Sequence, residues 1–122
     1  MTWRRAAADA DVRRTGIDKR ALYTYNVCMN ELRFIWDERK ARRNVAKHGV
    51  SFAEAVTAFH DENAKVYDDP DHSEGEDRFI LLGISVRIRV LVVCHCYRES
   101  EMVVRIISAR RADKREQESY WG

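Results

Sequence analysis

The sequence predicts an α+β domain: a small antiparallel sheet with two N-terminal helices packed on one face, and a C-terminal helix. Three observations predict it. A short apolar run near residue 34 leads into two segments of helical spacing, each with its own start signal. Three strand-like runs then follow between residues 79 and 109, the last two joined by a tight turn, and such short connections make neighbours antiparallel. The stretch Asp113 to Tyr120 is polar and lacks Gly and Pro, as a closing helix requires. Strand, helix pair and strand run, in that order, place the helices on one face of the sheet. The other face is then expected to be free to bind.

Residues 1–28 mix Ala, Arg and Asp without sustained periodicity and are expected to form a poorly ordered extension. Its Arg content resembles a transit peptide, but Asp9, Asp11 and Asp18 do not, and no signal-peptide apolar region is present. Met29 offers a second start, and residues 29–122 are read as the folded domain. Leu32 to Trp36 alternates weakly and is the first strand. Asp37 caps the first helix, Glu38 occupies its favourable first turn, and Ala41, Val45 and His48 follow at helical spacing. Gly49 supplies the left-handed position that ends it. Ser51 opens the second helix with Glu54 three residues on, a capping box, and Phe52, Ala55, Val56 and Phe59 form its buried stripe.

Lys65 to Tyr67 reads as an edge strand, followed by the loop DDPDHSEGED, built from turn-forming residues. Phe79 to Ser85, Ile88 to Tyr97 and Met102 to Ala109 are the strands after it. Ser85 to Arg89 lacks a turn glycine, so a longer or irregular hairpin is expected there.

The composition, 45% hydrophobic and 34% charged, is that of a globular domain, and no apolar run approaches a membrane span, so a cytoplasmic location is expected. Three cysteines give no disulfide framework. Net charge is only +2, but residues 61–77 hold eight acidic residues against Lys65 alone. The remainder is correspondingly basic, the segregation expected of a chain that meets a polyanion. Cys94, His95 and Cys96 have the types of metal ligands, yet in a strand His95 points away from both cysteines, and zinc needs four ligands or three plus water. No nucleotide-binding or hydrolase motif occurs. Neither metal nor cofactor is expected.

The run VVRIISARR, Val103 to Arg111, concentrates cationic side chains on the most strand-like segment. Regular alternation puts Arg105 among apolar neighbours, on the face opposite Arg110, unless a bulge or the end of pairing near Ala109 brings Arg110 round. A guanidinium there needs a carboxylate from its own fold or an anion from outside. Such residues suit RNA cleavage, in which the 2′-OH attacks the adjacent phosphorus and the protein clamps phosphate and stabilises developing charge. The same residues also suit a non-catalytic RNA- or DNA-binding regulator.

The blocks FIWDERKARRNVAKHGVSFAEA, DDPDHSEGEDRF, Gly83 and RIISARRADKREQESY, in that order and spacing, resemble the BrnT family of type II toxins. The resemblance spans about Phe34 to Tyr120. It implies a RelE-like fold and a metal-independent endoribonuclease that inhibits translation. It further implies a BrnA-like antitoxin, with operator DNA contacted only through that antitoxin. Carried onto this sequence, it points to Arg78, Arg105 and Arg110 as phosphate clamps and transition-state stabilisers. His48 is a proton-transfer candidate, with complementing the helix dipole as the alternative. Tyr120 is a candidate tail residue, with core docking as its equal. Lys40, Lys47 and Arg111 are the expected further RNA contacts.

Overall fold

The computed structural model describes residues 32–69, 77–98 and 102–122, together with the backbone of residues 2–4 and 26–28. Its elements in chain order are β1 (Thr2–Arg4), β2 (Asn26–Cys28), β3 (Arg33–Ile35), α1 (Glu38–His48), α2 (Phe52–Ala58), β4 (Lys65–Asp68), β5 (Arg78–Ile84), β6 (Val90–Arg98), β7 (Val103–Arg111) and α3 (Lys114–Trp121). Within the stretch read as an extension, β1 and β2 form a two-stranded antiparallel sheet. Three-residue strands are too short to show a period in sequence, so this pairing had no signal.

The main sheet runs β3-β7-β6-β5-β4. Strands β4 to β7 are antiparallel, as their short connections require, but β3 is parallel to β7, with Phe34 opposite Val104. The sheet is therefore mixed where an antiparallel one was expected. No hairpin joins β3 to its neighbour β7; α1, α2 and three strands lie between them in sequence, so no tight turn requires the pair to be antiparallel.

The helix caps follow the local chemistry. The Asp37 carboxylate accepts from the Arg39 and Lys40 amides at 2.8 and 3.3 Å, and Gly49 takes φ 69° beyond His48. Ser51 Oγ accepts from the Glu54 amide at 3.0 Å, but the Glu54 side chain does not return to complete a capping box. It accepts from Ser85 Oγ at 2.7 Å and from Arg89 Nε at 2.9 Å, with a second, shorter bond from Arg89 Nη2. A buried carboxylate is stabilised more by a guanidinium fork than by one amide. The reciprocal box forms on α3 instead, between Asp113 and Glu116.

Face by face, the register sorts the core. Phe34, Leu81, Leu91, Val93, Val104, Ile106 and Ala109 share the side covered by α1 and α2, where Phe52, Ala55, Val56 and Ala58 meet them. Gly83 lies under the end of α2, and a Cβ there would stand 2.9 Å from the Ala58 carbonyl oxygen. On α1 the expected stripe is rotated: Val45 is 46% exposed, and the buried residue is Asn44. Its amide donates to Val50 O at 2.8 Å and Ala109 O at 2.7 Å and accepts from Ala109 N at 3.1 Å, which compensates its burial.

The opposite face is not wholly free. α3 lies across half of it, where Tyr120 and Ala112 pack with Leu82, Val90 and Val92. The β5–β6 hairpin, expected to be longer or irregular, closes compactly with an irregular backbone. Ser85 N–H donates to Arg89 O and Ile88 N–H to Ser85 O, both at 2.9 Å, and Ile88 takes φ 60° in the position usually given to glycine.

Candidate active site

One register shift sets the arrangement of the cationic residues. Cys94 pairs with Ser108 but His95 pairs with Ile106, so Ile107 is passed over as a β-bulge. Alternation is reset at that point. Val104, Ile106 and Ala109 all enter the core under the helices, which leaves Arg105, Ser108 and Arg110 together on the α3 side. The bulge thus occurs two residues before Ala109, and it brings the two arginines to one face.

Arg105 stands directly across from Cys96 on β6, and Arg78 stands across from Cys96 on the other side, in β5. Ile35 is opposite Arg105 in β3, and Asp69 closes the row, its amide donating to Arg78 O at 2.9 Å. The row therefore reads Ile35, Arg105, Cys96, Arg78, Asp69 across five strands. Two strand spacings separate the arginine backbones, roughly 10 Å, a span that two extended guanidinium side chains can close upon one bound group. Both are half-buried, and each already has an interaction with its surroundings. One step along the sheet, the same side carries Arg33 and Arg98, aligned with Val103 between them. Four arginines thus occupy the half of the face that α3 does not cover.

Arg110 lies on this side but belongs to a different assembly. Its fork meets the Glu116 carboxylate through two bonds of 2.8 Å each, and Glu116 Oε1 also accepts from the Asp113 amide. The hydrogen bonds from Arg110 hold the Glu116 carboxyl below its ordinary value. Tyr120 is buried, and its hydroxyl donates to Asp61 Oδ2 at 2.5 Å. Burial, with that bond and the Asp61 charge, pushes the phenol up to about 12. Its ring packs α3 against Leu82, Val90 and Val92. His48 ends α1 at the position that complements the helix dipole, and Lys40 and Lys47 belong to the same helix, across the sheet from Arg105. Arg111 pairs opposite Leu91 and so leaves the sheet on the helix side, exposed. Of the residues singled out in sequence, the register unites Arg78 and Arg105 in one row, and Arg110, on the same face, is held apart from them by Glu116.

The cysteine signal resolves as alternation requires. Cys94 and Cys96 face the arginine side, and His95 points into the core. Cys94 Sγ lies 3.5 Å from Asp69 Oδ2, and burial together with that carboxylate raises the thiol to about 11. Such a group is a poor nucleophile. No cluster of three potential metal ligands occurs among the described residues. Arg33 and Arg98 were not foreseen. Arg98 lies two residues from Cys96, so alternation alone marks its face; Arg33 had no signal, because its neighbour is set by the pairing of β3.

The family model described as the ribonuclease toxin BrnT of type II toxin-antitoxin systems matches residues 36–116. The chain belongs to the BrnT family. Among solved structures, a crystal structure of the Brucella abortus ribonuclease toxin BrnT is similar, at 26% identity and a TM-score of 0.50. The alignment covers 66% of this chain and 96% of the Brucella BrnT. A comparison with curated proteins gives no match. Membership identifies the chain as a BrnT ribonuclease toxin of a type II toxin-antitoxin system, which implies an antitoxin as its partner. No helix among the described residues is long and apolar enough to cross a membrane.

Proposed function

We propose that this BrnT chain cleaves RNA without a metal ion, through attack of a ribose 2′-OH on the adjacent phosphorus, and that this cleavage inhibits translation. The observation that supports the proposal is the register that sets Arg78 and Arg105 on either side of Cys96. In the proposed step the two guanidinium forks hold the non-bridging phosphate oxygens and stabilise the charge that grows on them as phosphorus becomes five-coordinate. The 2′-oxygen–phosphorus bond forms, the bond to the 5′-oxygen breaks, and the 2′ proton leaves to solvent while the leaving oxygen gains one. Products are a 2′,3′-cyclic phosphate and a free 5′-hydroxyl. Arg110 and Tyr120 support this face indirectly, by seating α3. A BrnA-like antitoxin neutralises the toxin and carries the operator contacts.

Purified protein should cleave RNA in excess chelator and leave cyclic or 3′-phosphate ends, and a deoxy substitution at the cleaved nucleotide should abolish the reaction. Arg78→Ala or Arg105→Ala should each lower the rate on the order of a hundredfold while the protein stays folded. Cleavage that stops in chelator and returns with added metal would sink the proposal. A uniform, salt-dependent loss of affinity with no cleavage by the parent would instead describe a binding module.

A further inference from the structure

Helix α1 carries Arg39, Lys40, Arg42, Arg43 and Lys47 against the single acid Glu38. At 100° per residue the five cations fall within an arc of roughly 160°, leaving Glu38 and Val45 outside it. The arc does not face the sheet, because Asn44 fixes the helix rotation through its three hydrogen bonds to Val50 and Ala109. Arg39, Arg42, Arg43 and Lys47 are exposed. Among the described residues none of these four side chains meets a carboxylate.

A solvated helix face ordinarily mixes signs, with acids four residues before bases. Here Arg39, Arg43 and Lys47 repeat at that spacing with like charge, which weakens the helix by a few tenths of a kcal/mol per pair. Local cost without local compensation marks a surface retained for something outside the fold. The strip also lies across the sheet from Arg78 and Arg105. On β3, Arg33 faces the arginine side, and the chain enters α1 a few residues later.

We infer that the α1 strip is a second RNA-backbone site, holding the strand at phosphates remote from the one being cleaved. The inference rests on the proposed ribonuclease function for its substrate, but the strip can be tested without cleavage. A single-stranded RNA backbone is the occupant favoured by charge: a row of exposed guanidinium groups with no apolar pocket between them suits repeated phosphates more than side-chain recognition.

The test uses the triple variant Arg39→Gln, Arg42→Gln, Arg43→Gln, since Gln keeps helix propensity close to that of Arg. Cleavage of a minimal oligonucleotide should be unchanged. For a long single-stranded RNA, KM should rise by about tenfold or more with kcat unchanged. Binding is read separately on a chain carrying Arg78→Ala and Arg105→Ala. There the slope of log affinity against log salt should fall by about 2 when the three strip arginines are removed, at about 0.7 per phosphate contact. An Arg39→Lys, Arg42→Lys, Arg43→Lys variant should keep the full slope. An unchanged slope overturns the inference, as does an equal loss on the minimal and long substrates. So does a variant that keeps its RNA affinity but loses affinity for polyglutamate, which would assign the strip to an acidic protein partner. If the triple variant fails to fold, Arg39→Gln with Arg43→Gln should give about two-thirds of the slope change. If the parent cleaves nothing, the binding measurement still decides the strip, so failure of the enzyme and failure of the strip are told apart.

Discussion

Arg105 and Arg110 share a face of β7 because Ile107, between them, has no partner on β6. The shared face does not give them the same surroundings. Arg105 joins the row with Cys96 and Arg78, whereas Arg110 is held by Glu116.

Arg110→Ala should therefore lower stability and leave chemistry largely intact. The pair is partly exposed, at 43% and 29% for the two side chains, so screening limits its worth to about 1 kcal/mol. The expected result is a melting temperature a few degrees lower and a cleavage rate within severalfold of the parent. A hundredfold fall in rate at unchanged stability would return Arg110 to the phosphate site.

Asn44 is the polar fastening between α1 and β7. Asn44→Ala removes three hydrogen bonds and leaves the Ala109 amide and carbonyl without that partner, for an expected loss of about 3 kcal/mol in denaturant unfolding. Asn44→Asp keeps the volume but cannot donate to the Val50 and Ala109 carbonyls, so it should be comparably damaging. A tolerated Asp would mean that volume matters there and hydrogen bonding does not.

Ile88 is 79% exposed and holds φ 60°, so little packing opposes its replacement. Left-handed backbone costs a β-branched residue about 1–2 kcal/mol, partly offset by the greater chain entropy of glycine. Ile88→Gly should raise stability by about 0.5–1 kcal/mol, measured by thermal melting, whereas a lower melting point would show that the side chain has a contact worth keeping.

His95 should make stability depend on mildly acidic pH. Its ring lies between Phe59 at 5.0 Å and Tyr97 at 5.4 Å; Nδ1 donates to Val93 O at 3.2 Å, and Nε2 has no partner among the described residues. Burial lowers its pKa from 6.5 to about 4, only partly opposed by the Val93 carbonyl. The unfolded chain thus binds a proton that the folded chain refuses. The associated stability is complete above 6.5 and is lost as pH falls toward 4, on the order of 3 kcal/mol. His95→Leu should flatten the stability curve across that window. A variant curve with the parental slope would place the acid sensitivity elsewhere.

Much of the local structure was legible because it is written in short range. Asp37, Gly49 and Ser51 act on atoms within four residues, and the separation of His95 from its cysteine neighbours needs only alternation. The fold class was legible as well, and Arg78 and Arg105 were marked by the family blocks. What escaped depends on partners far along the chain. Asn44 is buried because Ala109 lies 65 residues on, and Glu54 leaves its cap for Arg89, 35 residues away. The skipped Ile107 leaves no trace in a run of apolar β-formers, and β3 pairs in parallel with a strand that follows it by about 70 residues, with no turn joining the two.

That parallel placement orders events during synthesis. β7, made after every other strand of the sheet, lies inside it between β3 and β6 and supplies the surface on which Asn44 is fastened. A nascent chain that has not yet released residues 103–111 has neither Arg105 nor the strand that carries β3, so its sheet is divided and its helices lack their floor. Contacts of such long sequence separation form slowly, after their loop-closure entropy is met. The sheet therefore closes only once β7 has been made, and any chain cut short before β7 lacks both the fold and half of the arginine pair.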